Sequence, residues 1–410
     1  RPNPLGGLRW SDQQHHASMT TISYRLLINQ AVRAMVNLRA GRGAVRRFAM
    51  TPRVWHPVCT LEGVSTPISA RHFMETPLNH RWKILMATDF SASAETALAQ
   101  AAYFAAQGDG ELTVAHVFDD PRRTAALVVN SPAWGATSPE LVDYERQSRR
   151  DADERFQAWI AAHPTDGVRV RRETLVGKPF VEIIHAVQRD GYDLVVVGTR
   201  GHSLLKRMLV GSTATKLARK CPCPVLIARP RDIRQLRHVL VPVHFSDVSG
   251  KLLALAGSLA HAAGATLDLL HVYDMSDLKD APLLSDSARS DFARYRRQVR
   301  EDALERMQRL AGSGGKHTTV NMTFNVAPGL AWQAIQRSAR RLESDLIVMG
   351  SVGRGGLPGL LIGNTAEKIL HTTNLPLLVV KPEGFVSPVT PPPRQEWAVQ
   401  ERRQREPSLN

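Results

Sequence analysis

Three cysteines in 410 residues are too few to organise this chain. A structural metal site needs about four ligands, and Cys221-Pro222-Cys223 has no partner cluster of His or Cys, while Cys59 stands alone. The pair reads as small buried thiols in a reducing compartment. No run of 18 or more apolar residues occurs, so no transmembrane helix and no membrane partner are expected. Acids are nearly missing from residues 1–73, where ten Arg and no Lys stand against only Asp12 and Glu62, a net +8. Over half of the formal charge of +15 therefore sits in this lead, and the rest is spread thinly with no RNA- or DNA-reading motif. Nucleic acid is not an expected partner. The Gly-Lys-Ser/Thr ending of a P-loop is also missing, and no acid pair is placed to hold magnesium, so phosphoryl transfer has neither its lysine nor its metal ligands. The expectation is a binder with at most slow hydrolysis and no catalytic residues.

The lead itself, 1–80, is Arg-rich, dotted with Gly and Pro, and is expected to lack order or to be non-native, apart from a short amphipathic helix over 22–38. Met74, nine residues before the first strand, reads as the natural start, with a transit peptide as the alternative. The tail, 385–410, carries Pro391-Pro392-Pro393 and mixed charge and is expected to be disordered.

Between these ends the chain says the same thing twice. Gly198-Thr199-Arg200-Gly201, nine residues, then Gly211-Ser212-Thr213 recurs 152 residues later as Gly350-Ser351-Val352-Gly353, nine residues, then Gly363-Asn364-Thr365. Glycine lets backbone amides approach a phosphate because no Cβ blocks the way, and a helix starting at the last glycine aims free N–H groups and a positive dipole end at the same anion. A lone Gly-x2-Gly also serves turns and caps, so a purely structural turn is the competing reading.

Around each motif apolar strands alternate with helices. In the first copy, strands are read at Lys83–Thr88, Glu111–Phe118, Val168–Val176, Asp193–Val197 and Pro224–Ala228, with helices to about Gln107, over Pro139–Ala162, from Pro179 to about Arg189, and over Gly211–Arg219. In the second, strands fall at His238–Val243, Thr266–Tyr273, Thr318–Val326, Asp345–Met349 and Pro376–Val380. Helices fall at Ser246–Ala263, Ser285–Ala311, after Pro328, and across Thr365–His371. The charged helices, such as Arg289–Arg309, read as solvated faces. The pattern is α/β: two tandem doubly wound domains, 81–230 and 236–384, each a five-stranded parallel sheet of order 3-2-1-4-5 with helices on both faces. Ligands of such sheets lie beyond the carboxyl ends of the strands where the order reverses, here between strands one and four. Asp89 and Gly198 end those two strands.

These residues resemble a known family. Ala87-Thr88-Asp89-Phe90-Ser91, Asp193-Leu194-Val195-Val196-Val197-Gly198, the Gly-x2-Gly-x9-Gly-Ser motif of 198–212 and Cys223-Pro224-Val225-Leu226 are similar to universal stress protein domains, and the chain to a tandem universal stress protein. The resemblance implies a flavodoxin-like fold, ATP (with or without Mg2+) as ligand in many members, dimers through the last strand, and a cytoplasmic stress-response module. Carried onto this chain, it implies that Ala87, Thr88 and Asp89 face the adenosine, that Val117 packs on the base, and that Val197 and Gly198 line the same wall. Arg200, Gly201 and His202 would turn over the ribose and phosphates, and Gly211, Ser212 and Thr213 would hold the phosphates. The aligned positions of the second copy are Val243, His244, Val272, Gly350, Gly353, Arg354, Gly363, Asn364 and Thr365. His244 stands where the first copy has Asp89 and Asn364 where it has Ser212, so the second half is expected to bind ATP weakly, differently or not at all. The last strands could pair across the halves as an intramolecular pseudo-dimer, with a homodimer also open. Asp89 has a second reading, as a cap for the first helix. A nucleotide-independent interaction scaffold and a weak ATPase remain as alternatives. His116 and His271 are expected to pack structurally, and His202 to be an exposed loop residue.

Overall fold

The structure is a computed structural model. It describes residues 68–71, 81–107, 109–118, 139–163, 165, 167–199, 210–233, 236–246, 248–273, 286–312, 319–352 and 362–392. Thus the expected helix over 22–38, Met74, Cys59 and the loop positions Arg200, Gly201, His202, Gly353 and Arg354 lie outside the described residues.

Strand β1 is Ile68–Arg71. The first half then runs β2 (Lys83–Thr88), α1 (Ala92–Gln107), β3 (Glu111–Phe118), α2 (Pro139–Ala162), β4 (Val170–Val176), α3 (Pro179–Asp190), β5 (Leu194–Gly198), α4 (Ser212–Lys220) and β6 (Val225–Ala228). The second half repeats it: β7 (His238–Pro242), α5 (Val248–Ala263), β8 (Thr266–Tyr273), α6 (Asp286–Gly312), β9 (Thr319–Pro328), α7 (Ala331–Arg341), β10 (Leu346–Gly350), α8 (Asn364–Thr372) and β11 (Leu377–Val380).

The strands form one 11-stranded sheet of order β1-β9-β8-β7-β10-β11-β6-β5-β2-β3-β4. Within each half the order is 3-2-1-4-5, and all pairings are parallel. β5 is buried along its whole length, as its apolar run requires for a strand covered on both faces. One core layer is built by α1 and α5 together with Phe156 of α2 and Met307 of α6. The other is built by α3, α4, α7 and α8. Each layer contains residues of both halves.

The halves join through their last strands. β6 and β11 are antiparallel, with Leu226 opposite Leu378, its own counterpart 152 residues on. The contacts at the flanks are reciprocal as well. Lys381, just past β11, donates from Nζ to the carbonyls of Ala218 (2.6 Å) and Arg219 (2.8 Å) at the end of α4. Its counterpart Arg229, just past β6, donates to the Leu370 carbonyl (2.7 Å) near the end of α8. Carbonyls in the last turn of a helix lack intrahelical partners, and a cation there also meets the negative end of the dipole. Arg219 and Glu367 add an ion pair between the two helices, and Arg231 binds Asp345 at 2.7 Å.

Two segments depart from the expectation of disorder. Ile68–Arg71, inside the lead, pairs antiparallel with β9 from Ile68↔Met322 to Arg71↔Thr319; main-chain bonds to an open sheet edge need no apolar pattern. Residues 385–392 follow a defined path along α3 of the first half. There Val389 packs on the core layer, the Gln188 amide donates to the Val389 carbonyl at 3.0 Å, and His185 Nε2 lies 3.1 Å from the Thr390 carbonyl. Strand ends differ from the sequence reading by one or two residues. The sharpest case is the first glycine of each motif, Gly198 and Gly350, which closes β5 and β10 rather than opening a loop.

Cys221 and Cys223 are buried with their sulfurs 3.5 Å apart. The hydrogen bond from Cys221 and burial push the Cys223 thiol well above its usual range, so Cys223 stays protonated and unreactive.

Candidate functional site

In the first half the expected residues converge on the carboxyl ends of β2, β3 and β5. β2 and β5 are neighbours, with Ala87 opposite Val197, so Asp89 and Gly198 leave adjacent strands at the reversal of strand order. Val117 stands one residue before the end of β3. α4 begins at Ser212, with Gly211 as the residue before it, and Ser212 and Thr213 occupy its first turn, where backbone N–H groups have no helical acceptor.

The strand-to-helix turn is held tightly. Asp89 Oδ1 accepts from both the Ser91 backbone N–H (3.2 Å) and the Ser91 hydroxyl (2.6 Å). Phe90 sits at φ 62°, a left-handed conformation uncommon outside glycine, and Phe245 repeats it at 52°. The Phe90 ring lies 4.3 Å from the His116 ring and packs on Phe156 and Trp159, with Arg155 over its face. In the second half Phe245 lies 4.6 Å from the His271 ring, with Arg306 over its face.

The histidines secure the same turn. His116 Nδ1 is 2.9 Å from the Thr88 carbonyl, and His271 Nδ1 is 3.0 Å from the Val243 carbonyl. A carbonyl only accepts, so Nδ1 is the donor in each. Burial pulls His116 below the usual imidazole range, which keeps it neutral. These two histidines are structural, as the sequence suggested. Thr88 is correspondingly occupied: its carbonyl takes His116, and its hydroxyl accepts from the Phe90 N–H at 3.0 Å.

Two positions assigned to phosphate have internal work instead. The Gly211 N–H is donated to the Thr199 carbonyl at 2.6 Å, and the Gly363 N–H to the Ser351 carbonyl at 2.7 Å. Neither third glycine offers its amide outward. Gly198 is demanded by packing: a Cβ there would lie 2.7 Å from both the carbonyl oxygen and the hydroxyl of Ser93. At Gly350 it would lie 2.7 Å from Val248 Cγ1. The first glycine of each motif thus lets the fourth strand of the half meet the first helix. Donors for an anion begin with Ser212 and Thr213, and with Asn364 and Thr365.

In the second half the seven described candidates, Val243, His244, Val272, Gly350, Gly363, Asn364 and Thr365, all line one cavity of about 280 Å3. Ser246, Ser249, Ser351 and Val352 complete its rim and floor, and Leu252, Ala331, Ile335 and Met349 its apolar walls. His244 is exposed and does not cap the turn. The Ser246 N–H goes to the Ser249 hydroxyl at 3.1 Å instead. Sequence reading missed Ser351, Ser249 and the α7 wall. Ser351 directly follows the motif glycine, a signal that was there to use. Ala331 and Ile335 are brought in from α7 by the crossover alone.

A tandem pair of flavodoxin-like domains, each with its candidate residues on the strands that flank the reversal of strand order, is the class of protein this geometry defines. The universal stress protein family model matches residues 81–229 and again 235–381, and the chain belongs to that family, with two of its domains in tandem. A universal stress protein of Mycolicibacterium smegmatis is 28% identical over 309 residues, 73% of this chain and 97% of the relative. Universal stress protein E of Escherichia coli is 30% identical over 220 residues, 52% of this chain and 68% of the relative. Among solved structures, a universal stress protein from Archaeoglobus fulgidus superimposes with TM-score 0.50 at 21% identity, covering 73% of this chain and 98% of that one, a likeness of fold. No helix among the described residues is long and apolar enough to cross a membrane.

Proposed function

We propose that the first half binds ATP and that the chain is a nucleotide-responsive stress module of the cytoplasm, with occupancy setting the packing of the two halves or the affinity for a partner. The observation that carries this reading is the convergence of the Asp89 carboxylate and the first turn of α4 on the ends of the adjacent strands β2 and β5. A carboxylate suits ribose hydroxyls, and a helix start with Ser212 and Thr213 suits phosphate. The second half supplies a supporting contrast. There a serine hydroxyl, Ser249, satisfies the turn, so capping alone does not call for an acid at 89. Ala87, Val117 and Val197 form the base-side wall in this reading, Gly198 shapes it, and Arg200, Gly201 and His202 are assigned to the ribose-phosphate turn. With β6 on β11, one chain takes the place of a dimer of single domains.

Equilibrium dialysis of the full chain with labelled ATP tests it. One ATP per chain is expected. Asp89→Asn retains an Oδ1 acceptor for Ser91, so stability stays within about 0.5 kcal/mol, while ATP affinity falls about tenfold through loss of a charged hydrogen bond. Unchanged ATP affinity in Asp89→Asn sinks the assignment. The packing role of Gly198 and the internal use of the Gly211 amide favour a second reading, an interaction scaffold with no nucleotide. Protein that carries no ATP on purification and shows no thermal shift with millimolar ATP decides for it.

A further inference from the structure

The two outer edges of the sheet differ. At one end β1 lies antiparallel on β9, from Ile68↔Met322 to Arg71↔Thr319. At the other end β4 is the last strand, with no neighbour beyond it among the described residues. β4 and β9 are equivalent strands. β4 pairs with β3 from Leu112↔Val170 and β9 with β8 from Leu267↔Met322, so residues of β9 stand 152 positions after their counterparts in β4. An unpaired edge is a row of backbone donors and acceptors ready to take a further strand.

Both faces of β4 are fixed, which leaves the edge as its free side. Glu173 is buried and bound by Arg189 at 2.5 Å. Leu175 belongs to the core layer of α3, and the Thr174 hydroxyl donates to Asp153 at 2.6 Å. The turn before β4 is closed as well. The Val168 N–H donates to the Thr165 carbonyl, and the Val168 carbonyl accepts from the Thr165 hydroxyl, each at 3.0 Å. A new strand therefore pairs from Arg169 onward.

This edge is basic. Arg169, Arg171 and Arg172 are exposed, whereas their counterparts on β9 are Asn321, Thr323 and Phe324. A cavity of about 780 Å3 opens at the start of β4, with Lys83, Arg169 and Arg171 in its wall. The acids of that wall are already engaged. Asp109 and Glu111 each lie 3.7 Å from Arg81, and Asp190 is held by Arg189 at 2.7 Å. Lys83, Arg169, Arg171 and Arg172 form no ion pair among the described residues.

That charge selects the occupant. Two copies of this edge would set arginine against arginine, and like charges directly opposite destabilise a strand pair. The lead of a second copy suits it no better, since Ile68-Ser69-Ala70-Arg71 carries a cation and lies in an Arg-rich stretch. A strand with acidic residues removes the repulsion and gives the arginines partners.

We infer that the edge of β4 is a docking site for an acidic, extended segment of a partner protein, added antiparallel along residues 169–172 as β1 is added to β9. Main-chain hydrogen bonds hold such a segment, and side chains at alternate positions select it. The site lies away from the reversal of strand order and does not depend on nucleotide in either half.

The probe is the peptide amide Glu-Val-Glu-Ile-Glu-Val with fluorescein at its N-terminus, titrated into the full chain to millimolar concentration at low salt and followed by anisotropy. It should bind, and the same peptide with Lys in place of Glu should not. N-methylation of every peptide amide keeps the charge and removes the donors, so affinity should fall about tenfold or more. Equal binding of the methylated peptide would mean charge attraction without strand addition and overturn the inference. The triple variant Arg169→Glu, Arg171→Glu, Arg172→Glu changes only exposed side chains and should melt like wild type. It should lose the acidic peptide about tenfold or more and take the Lys peptide instead; unchanged affinity for the acidic peptide overturns the inference. Amide exchange should slow within residues 169–172 when the peptide binds. Slowing in β9 instead, with β1 displaced, puts the peptide on the other edge and overturns it. A free chain that sediments as a dimer with those amides already protected gives the edge to a second copy, which overturns it too. Binding of neither peptide leaves the arginines only the task of keeping copies apart, and the inference fails.

Discussion

The Lys381 ammonium donates to the Ala218 carbonyl at 2.6 Å, so a cation from the end of the second half closes a helix of the first. Lys381 is 1% exposed, and its Nζ also lies 4.6 Å from the centre of the Phe385 ring. Burial lowers its pKa from the ordinary 10.5 to about 8. Between these values the unfolded chain holds the proton and the folded chain does not, so this group makes stability rise with pH from about 8 to 10.5, and below 8 the cost of burying the charge is fully present. The neutral amine keeps two N–H groups for its two carbonyls.

Lys381→Met should therefore cost about 1–3 kcal/mol at pH 7, the price of two orphaned carbonyls less that of the charge. Urea midpoints of wild type and variant, followed from pH 7 to 10, should diverge as pH rises. Parallel curves would show that the lysine does not change its protonation there.

The two first glycines of the motifs should respond differently to rescue. In Gly198→Ala the new Cβ meets the Ser93 carbonyl, which is backbone, as well as the hydroxyl. It should destabilise by about 1–3 kcal/mol, and Ser93→Ala should not restore the loss. In Gly350→Ala the close contact is Val248 Cγ1, so adding Val248→Ala should recover most of it. Chemical denaturation of the four variants reads the contrast.

Removal of residues 385–410 takes away Phe385, the Val389 side chain and the two carbonyls that meet Gln188 and His185. A loss of about 1–3 kcal/mol is expected from a half-buried aliphatic group and two hydrogen bonds, with faster amide exchange in α3. His185 adds a pH signature. Its hydrogen bond to Glu182 is the main cause that raises its pKa above 6.5. The stability from this pair is fully present below 6.5 and is lost as pH rises through the raised value. Wild type should exceed His185→Gln in melting temperature at pH 5.5 and approach it at pH 8.

Much of the fold was legible because the strands are short apolar runs between turn residues. Lys83–Thr88, Glu111–Phe118 and Thr266–Tyr273 form strands with the bounds the sequence suggests, and the crossover rule orders them. The glycines were harder. Spacing cannot separate an amide aimed at a ligand from one spent on a neighbouring carbonyl, and the bond from Gly211 to Thr199 decides that only in three dimensions. β1 was illegible because Ile68–Arg71 is only four residues long and joins the sheet by main-chain pairing with β9. The path of 385–392 was hidden because Thr390 and Val389 offer main-chain carbonyls to α3, which no side-chain pattern announces. Asp89 shows the limit most clearly, since a carboxylate before a helix reads as a cap or a ligand with equal ease, and here its Oδ1 accepts from the N–H and hydroxyl of Ser91, the residue just before α1.

The seam between β6 and β11 also has a consequence for the order of synthesis. β6 is complete some 150 residues before its antiparallel partner β11 is made. Domains fold as they emerge, at about 5–20 residues per second, so for roughly 8–30 seconds a nascent first half carries Val225-Leu226-Ile227-Ala228 as a bare aliphatic edge. Such an edge templates pairing with other chains. On a crowded polysome the nearest equivalent strand belongs to a neighbouring copy, and the speed of translation across the second half sets how long that competition lasts.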